Sequence, residues 1–493
     1  MSQKKMRLLG KWSWKWRWII SLWIVIAALT FLFTTIGFVA LNADAVRSST
    51  PHAAMPGDWP MYLSDPGRSG YNSAETAING STAANLKLHW KYHSGGNIST
   101  QPVVTNGMIY WGSWDGYEHA TNLNGTQAWQ SFLGVTSVAT GCHPPKAGVA
   151  SIAAVDLVNI GGTMTSVVFV GGGDANFYAL NAANGAVIWK TSLGTPPATF
   201  LWSSPAVYQG SVYMGVSSFG DCPLVQGKLV KMDEVTGTIQ STFNNVPDGC
   251  IGGAVWSSLT IDTTTGEVYI GTGTIHPQCS SPEPHALSMI ELHAADLSFV
   301  GSWQLPPADW IGDSTDFGAS PTLFQATIGG TVHNLVGAAN KNGKFYTFER
   351  GAIGNGPIWE DQIAAPGKCP QCGQGAISSA AWDGSNLYIA GGKTTINSIS
   401  CPGSVQAVAP ATGAIIWQRC LTDGPVLAPV TLVPGVAVVM AGKDVLLLDT
   451  STGQTLNTLT DTRNNSRYFA GASVSNGILY TANMDWNLYA YGF

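Results

Sequence analysis

Between Val167 and Gly194 the chain reads VVFVGGGDANFYALNAANGAVIWKTSLG, three short apolar runs each closed by turn residues. Val167 to Val170 runs into a Gly-Gly-Gly-Asp turn, Phe177 to Leu180 into Asn184-Gly185, and Val187 to Trp189 ends the unit. β-Branched and aromatic runs parted by Gly, Asn and Asp predict antiparallel strands with tight hairpins. The unit returns at Ile109 to Trp129, at Leu387 to Trp417 around an insertion, and at Val438 to Leu456. It returns a last time at Leu479 to Phe493, where the chain stops before the Trp-bearing strand. Four strands per repeat of about 40 residues mean stacked blades, because one such sheet cannot bury its own faces.

Counted along the chain, the repeats start near Thr100, Ser151, Trp202, Val255, Phe317, Ile377, Val426 and Tyr468. The expected fold is therefore all-β, an eight-bladed β-propeller of four-stranded antiparallel blades, with seven blades the main alternative. The stretch Leu86 to Tyr92 alternates like a strand and precedes the first full repeat. It is expected to pair beside Leu488 to Tyr491, completing the truncated last blade and removing an exposed edge. Charged residues make up only 11% of the chain while glycine reaches 58. That suits buried sheets and tight turns, and the lack of a basic bias argues against nucleic acid as a partner.

The start of the chain differs from the rest. Residues 1–17 carry Lys4, Lys5, Arg7, Lys11, Lys15 and Arg17, and residues 18–43 carry no charge. A mostly apolar run of that length can span a bilayer as one N-terminal hydrophobic helix, with the basic tail in the cytoplasm. Ala43-Asp44-Ala45 also has the small-x-small form of a cleavage site. The expectation is a membrane-anchored protein with residues 58–493 outside the cytoplasm, or a secreted one if the leader is cleaved. Residues 44–57 read as a linker. All eight cysteines fall in the exported part, where disulfides form. Nearness in sequence suggests Cys222–Cys250, Cys369–Cys372 and Cys401–Cys420, leaving Cys142 and Cys279 to pair by elimination. Cys369-Pro-Gln-Cys372 lacks the βαβ surroundings of a redox motif, so a local structural bridge is expected there. No Cys-x-x-Cys-His occurs, so haem is not expected. His276, Cys279 and His285 share one inserted loop, where a solvated disulfide loop is expected ahead of a metal site.

Three sets of residues resemble the quinoprotein alcohol dehydrogenase-like propellers, which bind pyrroloquinoline quinone (PQQ). The opening Trp59-Pro60-x-Tyr62-x-x-Asp65, followed by Asn85-Leu86-x-x-x-Trp90-x-Tyr92, is similar to that family's first segment. Ala179 to Trp189 and Ala407 to Trp417 resemble its tryptophan-docking repeats, and Trp256 through Gly271-Thr272-Gly273 resembles the segment beneath its cofactor. Kelch and WD40 rings are the competing families, and the Trp-Asp and Gly-His signatures of WD40 are missing. The resemblance implies PQQ and Ca²⁺ at the propeller axis. It places Trp256 as the aromatic platform, Asp316 as the base and a metal ligand, and Lys341 in the motif that contacts the quinone. A hard cation needs oxygen ligands, and the base must take the alcohol's proton.

Two departures stand out. Thr274 replaces the family's metal-binding Asn, and the Glu-bearing loop reads Ser217-Ser-Phe-Gly-Asp221-Cys222, where Asp221 substitutes for the Glu only with a shift of register. Gly318 stands where lanthanide-using relatives have an extra Asp, so no lanthanide is expected. Two functions follow from the resemblance. One is a PQQ-dependent dehydrogenase oxidising an alcohol or sugar hydroxyl of a small-molecule or polymer substrate, with a separate electron acceptor. The other is a non-catalytic propeller binding a protein or polymer, similar to the propeller lipoprotein of outer-membrane assembly.

Overall fold

Each predicted repeat folds into a blade. The computed structural model describes residues 57–138, 141–277, 279, 281–463 and 466–493. The leader and nearly all of the linker lie outside them, so the hydrophobic helix and the anchor expected there do too. Among the described residues no helix is long and apolar enough to cross a membrane.

Eight four-stranded antiparallel blades are present among the described residues. The second shows the plan: Ala154–Ile160 innermost, then Thr163–Gly171, Asn176–Asn181 and Val187–Ser192 outermost. Four of the inner strands are wholly buried, while outer strands alternate, as expected where one face meets solvent. The third blade departs slightly, its Ser211–Ser218 strand pairing with both Thr199–Phe200 and Ala206–Tyr208. The ring closes as expected. Lys87–His93 pairs with Asn487–Gly492, with Leu88 opposite Tyr491 and Tyr92 opposite Leu488.

Tryptophans on the outer strands of four blades each dock on the following blade. Trp129 donates its Nε1–H to the Ala182 carbonyl at 2.9 Å, and Trp189, Trp359 and Trp417 do the same to Glu234, Pro410 and Thr450. Each indole lies flat on the turn glycine of the neighbouring blade. At Gly185 a Cβ would stand 2.5 Å from the Trp129 ring, and φ is +72°. The Asn-Gly and Thr-Gly turns are therefore required twice, by the hairpin and by the docked ring.

The opening segment crosses the axis and binds every blade in turn. Trp59 pairs with Val104, the Pro60 carbonyl accepts from Val155, and the Pro66 and Gly67 carbonyls accept from Ile261 and Leu323. Ser69 and Gly70 accept from Trp382 and Leu432, and Asn72 donates to the Val474 carbonyl. The third blade is reached by Arg68, whose fully buried guanidinium donates to the carbonyls of Pro205, Leu259 and Tyr62. Burial lowers its pKa to about 10, so it remains a cation at neutral pH.

The cysteines correct two of the four expected pairs. Cys369–Cys372 and Cys401–Cys420 form as expected, but the other bridges are Cys142–Cys222 and Cys250–Cys279. Separation along the chain misled here. Neighbouring blades bring loops 80 residues apart to the same rim, with Cα atoms 6.0 Å apart, so Cys222 meets Cys142 rather than Cys250.

Candidate functional site at the propeller axis

The opening segment forms a plug across the axis, and it borders one axial cavity. A cavity of about 560 Å³ opens opposite the plug, walled by the starts of the inner strands and by the turns between second and third strands. Tyr62, from the plug, lies in its lining, with its hydroxyl 3.1 Å from Ser379 Oγ. Around the wall runs a belt of serines. The N–H of Ile152 donates to Ser204, Ser204 to Ser258, Ser258 to Ser320 and Ser320 to Ser379, at 2.9–3.1 Å. Each serine hydroxyl satisfies a backbone donor of the preceding blade that has no strand partner at the axis.

The structure brings all five site candidates together. Asp316 stands at the entrance to the fifth blade, 3% exposed. Its Oδ1 accepts from the Thr274 backbone N–H at 2.9 Å, and its Oδ2 accepts from Trp256 Nε1 at 3.2 Å and from Lys341 Nζ at 2.5 Å. Lys341 belongs to the Asn340-Lys341-Asn342-Gly343 turn, which is fastened to the Asp316 strand by two further bonds, Lys341 N–H to the Asp316 carbonyl and Asn340 Nδ2 to the Thr315 carbonyl. The Lys341 ammonium also lies 5.3 Å from the centre of the Trp256 ring, within reach of cation–π attraction.

Asp221 completes the group. Its Oδ2 accepts from the Thr274 hydroxyl at 2.8 Å, and that hydroxyl is 3.5 Å from Asp316 Oδ1. The register shift expected of it is supplied by left-handed backbone at Gly220 (φ +61°) and Asp221 (φ +57°). The Cys142–Cys222 bridge ties this turn to the loop carrying His143, which also lines the cavity. Burial first, and then repulsion from Asp316, push the Asp221 carboxyl above the ordinary carboxylate range, with the Thr274 hydrogen bond opposing. Two carboxylates thus face one ammonium across a shared hydroxyl, a set of hard oxygen donors with surplus negative charge. That chemistry fits a cation of the Ca²⁺ kind. Gly318 has no room for a side chain, since a Cβ there would lie 2.6 Å from the Trp256 ring.

The expected disulfide loop of the fourth blade is present with a different partner. Cys279 is bonded to Cys250, so its sulfur is not available as a thiolate. His285 Nδ1 is instead 3.2 Å from Ser302 Oγ. Sequence reasoning missed Trp114, Trp202 and the serine belt. The signal was there, because Trp202-Ser203-Ser204 repeats Trp256-Ser257-Ser258 one blade earlier. Trp202 lines the cavity beside Trp114, with ring centres 6.0 Å apart.

A family model described as outer membrane protein assembly factor BamB matches residues 67–214 and 154–275. A quinohemoprotein alcohol dehydrogenase of Comamonas testosteroni is 24% identical over 355 residues, 63% of this chain and 47% of that protein. A polyvinylalcohol dehydrogenase of Pseudomonas sp is 23% identical over 438 residues, 77% of this chain and 65% of that protein. The chain therefore spans between about half and two thirds of the length of these relatives. Among solved structures, the Comamonas testosteroni quinohemoprotein alcohol dehydrogenase aligns with a TM-score of 0.70 at 17% identity, over 91% of this chain and 82% of that one. A europium-containing methanol dehydrogenase aligns at 0.69 and 15% identity, over 89% and 98%. BamB from Moraxella catarrhalis aligns at 0.52 and 15% identity, over 83% and 98%. With its eight blades and tryptophan-docked repeats, the chain has the fold of these quinoprotein propellers, and over residues 67–275 it is similar to the BamB-described family model.

Proposed function

We propose that this chain is a PQQ-dependent dehydrogenase acting on an alcohol or sugar hydroxyl. The observation that carries the reading is Asp316, buried in the axial cavity and held at once by Trp256, Thr274 and Lys341. The alcohol dehydrogenases among its relatives support it. Bound in the cavity, PQQ would supply a two-electron oxidant and Ca²⁺ a Lewis acid that polarises it. Trp256 would offer an aromatic face to a flat ring, and oxygens of Asp221, Thr274 and Asp316 would hold the cation. Asp316 takes the hydroxyl proton of the substrate, and Lys341, bonded to the same oxygen as Trp256, holds that carboxylate in position. The opening segment, through Tyr62, and the serine belt line the cavity that would receive the substrate. Electrons then pass to a separate acceptor.

The test is to add PQQ and Ca²⁺ to the purified protein and follow quinone absorbance and dye-linked alcohol oxidation. Asp316→Asn keeps the shape and removes the base, so PQQ binding persists while turnover falls roughly 10²- to 10⁴-fold. The competing reading, a propeller that binds a protein or polymer, rests on Thr274 standing where the family has Asn. It takes over if the wild-type protein binds no PQQ in the presence of Ca²⁺. We also take residues 58–493 to lie outside the cytoplasm, on the strength of the leader sequence and the four disulfides. Retention in the membrane pellet after a high-salt wash, with the first residue intact, is the expected result for an anchor.

A further inference from the structure

One turn of the propeller carries a bulky side chain where the corresponding turns of three other blades carry glycine or alanine. The turn between second and third strands reads Trp114-Asp115-Gly116 in the first blade, Gly173-Asp174-Ala175 in the second and Lys341-Asn342-Gly343 in the fifth. In the eighth it reads Met484-Asp485-Trp486. The third residue is left-handed every time, with φ +96° at Gly116, +61° at Ala175, +83° at Gly343 and +68° at Trp486. Glycine takes that conformation freely, whereas a bulky side chain there is an outlier that persists only where its surroundings enforce it.

The surroundings of Trp486 fix its indole and leave part of it uncovered. The ring stacks on His93, centres 5.7 Å apart and planes 29° from parallel. Its Nε1–H donates to Asn97 Oδ1 at 2.8 Å, and His93 is held in turn by Asn487, Nδ1 to Oδ1 3.1 Å. Even so, Trp486 is 43% exposed. It sits in a surface depression with Lys91, His93, Arg463, Asp485 and Asn487. The charges there balance. Lys91 is paired with Asp461 at 2.8 Å, Arg463 lies 3.6 Å from the same carboxylate, and Asp485 adds the second negative charge. Neither an anion nor a cation is favoured. Met484, in the same turn, lines the axial cavity, so the depression adjoins the mouth.

We propose that Trp486 is an outlying subsite for a neutral polyhydroxylated chain, holding an oligomer or polymer beside the mouth of the axial cavity. Such a chain lays its C–H face on an indole and satisfies its hydroxyls at a polar, charge-balanced rim. The proposal stands whether or not the axial site oxidises anything. Trp486→Gly tests it cleanly, because glycine suits the backbone and the variant should melt no lower than the wild type. Full-length protein is titrated calorimetrically with cellohexaose and with a short polyvinyl alcohol, and with hexagalacturonate as the anionic control. The expected result is binding of at least one neutral probe, weakened about tenfold or more in Trp486→Gly. Whichever neutral probe binds more tightly tells a saccharide from a simple polyalcohol. The proposal is overturned if neither neutral probe binds, if Trp486→Gly binds as the wild type does, or if the anionic probe binds as tightly.

Discussion

At the scale of single residues, two buried carboxyls show how differently one group can be treated. Asp316 is buried with three donors around it. Glu118, in the third strand of the first blade, is fully buried, and among the described residues neither oxygen has a hydrogen-bond partner. Burial alone pushes its carboxyl well above the ordinary range. The folded chain therefore holds this proton to a higher pH than the unfolded chain does. Stability falls as pH rises above the unfolded value near 4.5, and the fall ends only once pH passes the raised folded value. Glu118→Gln removes that dependence. Its melting temperature should exceed that of the wild type by a margin that widens from about pH 5 towards neutrality, corresponding to roughly 1–3 kcal/mol. Thermal melts of both proteins at matched pH check this, and a margin independent of pH would refute it. The site residues were legible in the sequence because Trp256, Asp316 and Lys341 each sit in a motif. Glu118 was not, since a polar residue in a strand reads equally well as solvent-facing.

At the scale of elements, the hairpin turn and the docked tryptophan form one device. Asn184-Gly185 predicts a hairpin by itself, but only the neighbouring blade shows why Gly185 admits no substitute. Gly185→Ala must accept both a left-handed backbone and a Cβ 2.5 Å from the Trp129 ring. It should lose about 1–3 kcal/mol in a denaturant melt, more than the same change at Gly107, where nothing lies within 4 Å of the added carbon. Equal losses at the two positions would show that the docked ring contributes nothing. The disulfides carry the same lesson in reverse. The two bridges expected correctly join cysteines only 3 and 19 residues apart, while Cys142–Cys222 depends on which loops the ring brings together.

At the scale of the molecule, the ring is closed twice, at its edge by Lys87–His93 and through its centre by the opening segment. Arg68 is the centre of the second closure, binding three carbonyls from separate parts of the chain. Arg68→Met retains much of the volume but strands those acceptors. The loss should be about 3–5 kcal/mol, with the melt still a single transition because every blade leans on the plug. A broad or stepwise transition in the wild type would contradict that cooperativity.

Repeat period, turn chemistry and the truncated last blade are local or periodic properties, so the sequence alone determined the eight-bladed ring, its closing strand and most of the site's residues. The plug's route, the serine belt, the pairing of Cys142 with Cys222 and the meeting of Asp221 with Thr274 were decided only by the tertiary structure. Each joins residues whose nearness comes from the circular order of the blades. Strand patterns record which face of a strand is buried, and they carry no information about what lies across the axis.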